Sequence, residues 1–170
     1  MITNKQELKE YLYEDKKANR KLRSYPKFGG DLTWRFLISL RKFEYQLNCN
    51  KTPLRRIMVL IAKARWYYYS VKSGITIHPN CFGKGLILFH YGTIIVNETV
   101  KAGEYVTIQC DVVISKNVTI GNNVYIAPGV KILAGIRIAD DVTLGCNAVV
   151  SKDINEKATT YVGVPARKLR

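Results

Sequence analysis

Two hydrophobic periods divide the chain. Up to residue 73, apolar positions recur every three or four residues, the spacing of amphipathic helices. Leu8, Tyr11 and Leu12 share one face of a first helix, with Thr3 or Asn4 placed to cap it. Asp31 stands before a second helix carrying Phe36, Leu37, Leu40 and Leu47, and Pro26-Lys27-Phe28-Gly29-Gly30 punctuates the two. Thr52-Pro53 opens a third, because proline suits the first helical turn. Leu54, Ile57, Met58, Ile61 and Ala62 form the apolar stripe of that helix.

After Gly74 the period becomes six. Steps of six from Val96 reach Ala102, Ile108, Ile114 and Ile120, and continue apolar through Val150. Steps of six from Val100 reach Val106, Val112, Val118 and Val124, and continue apolar through Ile154. The slot before the second apolar position is Asn, Asp or Gly in eight of ten hexads, residue types that tolerate left-handed backbone at tight corners. The pattern reads as short strand, corner, short strand, corner, with three units closing one triangular coil. Residues 96–155 supply ten hexads, a little over three coils, and 75–95 adds about one more. The expected fold is mainly β: a parallel β-helix over 74–158, preceded by an α-helical segment over 1–73 and followed by a C-terminal loop and tail over 159–170.

A β-helix by itself does not imply catalysis, so the chemistry has to come from residues that break the pattern. Extending the first apolar frame back from Val96 places His90 where the later hexads carry an aliphatic side chain. Its bland reading is a locally hydrogen-bonded side chain in an irregular coil. The other histidine, His78, lies beside Pro79 and reads as structural. Two histidines leave a three-histidine zinc site one ligand short, and no metal is expected. The four cysteines, Cys49, Cys81, Cys110 and Cys146, have no CxxC spacing and read as reduced thiols. The hexads stop near Asn155, and Gly163-Val164-Pro165 then turns Arg167 and Lys168 back toward the last coils.

Charge separates the halves again. Residues 1–74 hold 17 Lys/Arg against 6 Asp/Glu, while residues 75–170 hold 10 against 7. The basic prefix suits an anionic partner, but no nucleic-acid-binding motif stands in it. The stretch from Arg55 to Tyr69 mixes basic, apolar and aromatic residues, as a membrane-surface helix does. Its plainer reading is a helix packed on the rest of the protein. The N-terminus is polar and charged, without the pattern of a secretory leader.

Residues 75–168 resemble the hexapeptide-repeat acyltransferases, and within them the serine acetyltransferase-like branch. The likeness rests on Ile77-His78-Pro79 with Gly83-Lys84-Gly85-Leu86, on His90-Tyr91-Gly92-Thr93 through Thr99, and on Thr159-Thr160 through Gly163-Val164-Pro165-Ala166-Arg167. Leu40-Arg41-Lys42-Phe43-Glu44-Tyr45 is similar to the helical prefix of members that modify surface polysaccharides. The resemblance implies a left-handed helix and a homotrimer, or a hexamer if trimers pair through the prefix. It implies acetyl-CoA as co-substrate in grooves between neighbouring β-helices, with His90 as catalytic base. Tyr91, Asn97 and Glu98, close to His90 in sequence, are candidates for binding the acceptor or orienting the imidazole. Pro128, Gly129 and Cys146 fall on the groove for the pantetheine arm. Gly163, Val164 and Pro165 fall on the nucleotide-end loop, where Arg167 and Lys168, with Lys131, would meet phosphates.

Two departures bear on the acceptor. Phe89 stands where serine acetyltransferases carry an aspartate before the histidine, and Ile114-Ser115-Lys116-Asn117-Val118 runs through without their second-histidine loop. The leading expectation is therefore an O-acetyltransferase acting on a sugar or surface-polysaccharide precursor. It would be cytoplasmic, at the inner face of the membrane if the prefix makes peripheral contact there. Serine O-acetylation and a non-catalytic trimeric scaffold or polyanion-binding protein stand as alternatives.

Overall fold

A computed structural model describes residues 1–27, 30–49 and 53–169. Phe28, Gly29 and Thr52, assigned above to helix punctuation, lie outside them. Helices α1 (Lys5–Ala18), α2 (Leu32–Cys49) and α3 (Arg55–Ser73) precede a parallel β-solenoid of about five turns. One sheet stacks β1 (Ile75–Thr76), β3 (Ile94–Val96), β6 (Val112–Ile114), β9 (Lys131–Ile132) and β12 (Val149–Val150). A second stacks β4 (Lys101–Ala102), β7 (Thr119–Ile120) and β10 (Arg137–Ile138). The third stacks β2 (Ile87–Leu88), β5 (Thr107–Ile108), β8 (Tyr125–Ile126), β11 (Thr143–Leu144) and β13 (Thr160–Val162). Strand β14 (Arg167–Lys168) returns antiparallel along β13.

The six-residue pattern has a direct physical outcome. Every residue of the two apolar slots is buried except Ala102, which is half-buried. Eight of the ten corner-slot residues have positive φ: all but Thr99 and Asp153. Tyr105 is the unexpected member, a bulky side chain at φ 55. Its ring packs over Gly85, where a Cβ would come within 2.3 Å of it, and its hydroxyl donates to Glu14 at 3.1 Å. Beyond the regular hexads, Thr160 and Tyr161 still pair with Thr143 and Leu144, so the stretch expected as loop and tail adds a strand to the third sheet.

The prefix is bound to the first coil by polar contacts as well as packing. Asn4 caps α1 by accepting the Glu7 N–H at 2.9 Å, and the Glu7 carboxylate accepts the Thr3 N–H at 2.6 Å in return. Asp31 stands at the N-cap position of α2, its carbonyl accepting the Arg35 N–H at 2.9 Å, but its side chain does not cap the helix. It sits at φ 55, and its carboxylate accepts from the Lys27 N–H and the Lys21 ammonium instead. Those two donors, the Lys27 N–H foremost, hold its pKa below the usual carboxylate value.

Helix α2 is enclosed, and its fully buried Arg41 meets Asp15 of α1 at 2.8 Å and Glu44 at 3.0 Å. The same guanidinium donates to the carbonyls of Phe82 and Gly83 at 3.0 and 2.6 Å. Asp15 in turn accepts the Leu86 N–H, Glu44 the Asn80 N–H, and Asn19 the Leu88 N–H. Burial opposes the Arg41 charge, but the two carboxylates outweigh it and hold its pKa above the usual arginine value.

Helix α3 turns out differently from its expected stripe. Leu54, Ile57, Met58 and Ile61 are exposed, Ala62 of that stripe is half-buried against the core with Val59, and the buried positions are Trp66, Ser70 and Ser73. The helix packs through its C-terminal half, where the Trp66 indole donates to the Ile77 carbonyl at 3.1 Å. Leu54, Ile57, Met58 and Ile61 of the stripe therefore face away from this chain's core.

Replacing Arg41 by Ala strands two buried carboxylates and should cost about 3–5 kcal/mol. Urea unfolding checks this: the Arg41→Ala midpoint falls sharply, whereas Arg41→Met combined with Asp15→Asn and Glu44→Gln recovers much of the loss. Equal losses in the two variants would show that volume, not charge, dominates the site.

Candidate active site

The corner between β2 and β3 departs from the regular register. Leu88, Ile108 and Ile126 stack, and the next sheet resumes at Ile94, Val112 and Val130 in the same three coils. Four positions separate the later pairs, against six in the first. Two extra residues thus enter this corner, and the segment 89–93 bulges outward. His90 is exposed on the bulge, with Phe89 and Tyr91 beside it at 46% and 70% exposure. Leu88 and Ile94 fill the interior slots, so His90 does not occupy the aliphatic slot that the hexad frame suggested. The frame slips by two residues because of the insertion.

The bulge is anchored at its far end. Gly92, at φ 138, donates its N–H to the Ser73 carbonyl at 2.8 Å, and the Ile94 N–H reaches the carbonyl of Gly74, the α3 C-cap, at 3.0 Å. The backbone around His90 is therefore tied to the end of α3. The imidazole itself makes no hydrogen bond or ion pair with any described residue of the chain. His78 packs its ring 5.6 Å from Trp66, a structural role.

Above His90 the same solenoid edge carries Cys110, Pro128, Cys146 and Val164, at the corners after β5, β8, β11 and β13. Backbone bonds stack these corners: Gly129 N–H to Cys110 O at 3.1 Å, Asn147 N–H to Pro128 O at 2.9 Å, and Val149 N–H to Gly163 O at 3.1 Å. Gly129, at φ 79, keeps the edge narrow, because a Cβ there would lie 1.9 Å from the Asn147 Oδ1. Pro128, Gly129, Cys146, Gly163, Val164 and Pro165 thus all lie on the edge that begins at His90.

The basic candidates differ among themselves. Lys131 flanks the edge, but its ammonium is held by Asp111 at 3.0 Å. Lys168 pairs with Glu156, while Arg167 is exposed and forms no ion pair among the described residues. Arg167 and Lys168 border a cavity of about 230 Å³ at the last coil, with Lys152 and Tyr161 on its wall.

Asn97 and Glu98 lie apart from this edge. They occupy the next corner of the coil, between β3 and β4, where Asn97 accepts from the Thr99 N–H and hydroxyl. Within one chain neither orients His90, and only Tyr91 of the three neighbours shares its bulge. The stacking of corners 18 residues apart was present in the sequence as Cys110, Pro128, Cys146 and Val164, and it was the signal that defines the edge.

Residues 99–134 and 117–152 match the family model described as bacterial transferase hexapeptide (six repeats). No curated protein matches the chain. Among solved structures, the fold is similar to a serine acetyltransferase in complex with CoA, with TM-score 0.76, 24% identity, and 97% of this chain and 70% of that one covered. It is also similar to the soybean serine acetyltransferase apoenzyme, with TM-score 0.72, 25% identity, and coverage of 96% and 69%. The Brucella abortus serine acetyltransferase in complex with coenzyme A gives TM-score 0.70, 24% identity, and coverage of 97% and 68%.

The cysteines report on this edge. Burial pushes the Cys81 thiol up to about 11, so it stays protonated and shielded at neutral pH, whereas Cys146 is exposed. Timed N-ethylmaleimide labelling read by peptide mass spectrometry should modify Cys146 early and Cys81 only on unfolding. Acetyl-CoA, which carries no free thiol, should slow labelling of Cys146 several-fold. Unchanged labelling at saturating acetyl-CoA would show that Cys146 does not line an acetyl-CoA site.

Proposed function

We propose that this chain is an acetyl-CoA-dependent O-acetyltransferase with His90 as general base. The observation that carries the reading is the exposed imidazole at the foot of one solenoid edge whose upper corners are small or narrow. An extended thioester arm fits such an edge, with its acyl end at His90 and its nucleotide end near Arg167 and Lys168. Gly129 lets its corner stack closely on Asn147 and keeps the edge narrow, and Arg167 offers a guanidinium for a phosphate.

The unprotonated imidazole nitrogen takes the proton of the acceptor hydroxyl as that oxygen attacks the thioester carbonyl. The new C–O bond forms, the C–S bond breaks, and the imidazolium returns its proton to the departing thiolate. Backbone N–H groups near the bulge stabilise the oxyanion. Because no described residue of the same chain forms a hydrogen bond or ion pair with the imidazole, we assign the fixing of its tautomer to a neighbouring copy in a homotrimer, or to the acceptor. Ile95 and Tyr125, exposed on the outer faces of the two sheets that meet at the edge, suit such packing between solenoids. The apolar stripe of α3 suits pairing of trimers or peripheral contact with a membrane.

A sugar hydroxyl is the favoured acceptor. Phe89 replaces a charged group beside the base with an aromatic ring, 46% exposed, that suits the face of a sugar better than an amino acid's ammonium. Serine O-acetylation in the cytoplasm is the second reading, favoured by the serine acetyltransferase folds above.

Purified protein given acetyl-CoA with L-serine and a panel of oligosaccharides, its products read by mass spectrometry, tests the reaction. His90→Ala should lower turnover by about 10²–10⁴ while the oligomer persists; near-normal turnover removes the assignment. Replacing both Arg167 and Lys168 by Ala should raise the acetyl-CoA KM far more than it lowers kcat, and the opposite split would exclude a phosphate-binding role.

A further inference from the structure

The helical prefix contains a cleft of about 410 Å³ that shares no lining residue with the solenoid edge. Its floor is Leu12 of α1 with Trp34 and Ile38 of α2, and Tyr13 and Tyr25 stand exposed at its rim. Five cations line it: Lys9 and Lys16 one face along α1, Arg35 and Lys42 along α2, and Arg65 from α3. Among the described residues no carboxylate lines it.

These charges are not balanced elsewhere. Lys9, Lys16 and Lys42 form no ion pair or hydrogen bond with a described residue. The Arg35 guanidinium donates to the backbone carbonyls of Gly30 and Lys27, which leaves its charge unopposed, and Arg65 lies 5.9 Å from the Tyr69 ring centre. A second, independent observation lies in the floor. Trp34 is 2% exposed, and its indole N–H is the one buried side-chain polar group among the described residues without a partner. A buried donor left unmade costs about 1–3 kcal/mol, so a small shift of the indole toward the cleft would let a ligand oxygen accept its N–H and recover that cost.

We infer that this cleft binds an acidic saccharide, a sugar chain bearing carboxylate or phosphate groups. Unopposed lysines and arginines on three helices collect the anionic groups by charge-assisted bonds. The exposed rings of Tyr13 and Tyr25 give the C–H faces of sugar rings an apolar platform above Trp34. A ring or hydroxyl oxygen supplies the missing acceptor for the indole N–H. A neutral glycan would leave the five charges unmatched, and a lipid surface would not reach the recessed Trp34. The cleft holds a glycan independently of whether the solenoid edge transfers acetyl.

The test is binding of a hyaluronan hexasaccharide by isothermal titration, with glucose 6-phosphate, neutral maltohexaose and phosphatidylglycerol-containing vesicles in parallel. Trp66→Phe leaves Trp34 as the only tryptophan and makes its fluorescence a report on the floor. The expected results are binding of the acidic saccharides at least tenfold tighter than maltohexaose, weakening with salt, and a change in Trp34 emission. Lys16→Glu with Lys42→Glu, both at the cleft surface, should weaken the acidic saccharides by about tenfold or more. That variant should retain acetyl-CoA protection of Cys146, which shows that the fold and the other site are intact. Equal binding of neutral and acidic glycans, saccharide binding indifferent to the double variant, or binding to vesicles alone would overturn the proposal, as would no binding by any probe.

Discussion

Parallel pairing at a spacing of three hexads governs where the functional side chains lie. Strand residues pair 18 positions apart through most of the solenoid, as in Thr107 with Tyr125 and Tyr125 with Thr143. A one-residue slip would turn each buried Ile, Val or Leu outward, and a buried aliphatic side chain is worth about 1.5–3 kcal/mol. The register is therefore held by the sum of many such side chains. Once it is held, every third corner must stack on the one below, and residues far apart in sequence become neighbours along one edge.

Against that regularity, one insertion creates the site. Two extra residues between Leu88 and Ile94 cannot enter the packed interior, so the chain expels them as a bulge and His90 goes with them. The bulge is held because Gly92 and Ile94 bond back to the last residue of α3 and its cap. The position of α3 depends on α2, and α2 is joined to the first coil by the buried Arg41 with Asp15 and Glu44. The polar network in the prefix thus supports the place of the imidazole at a distance. Buried ion groups of this kind add little net stability, but removing one partner is costly, so the three residues act as a unit.

The repeat region was legible in the sequence because a period of six has one packing solution, and each slot's residue type fits its corner or core position. What was less legible depended on tertiary context. His90 looked like a histidine in a core slot because a frame counted backward cannot sense an insertion. Asp31 looked like a helix cap because its type and place were right, yet Lys21 and the Lys27 N–H compete for its carboxylate. The α3 stripe looked buried because amphipathicity marks an apolar face without saying what covers it. Glu98 is eight residues from His90 in sequence but belongs to another corner of the triangle. A tryptophan in a helix is ordinarily core, and only its unpartnered N–H beneath a basic cleft sets Trp34 apart.

The most direct test of the central claim is a structure of the protein with coenzyme A bound. The account predicts the pantetheine arm along the edge of Cys110, Pro128 and Cys146, its thiol toward His90 and its nucleotide near Arg167 and Lys168. Coenzyme A on either of the other two edges, or with its thiol at the Arg167 end, would contradict it.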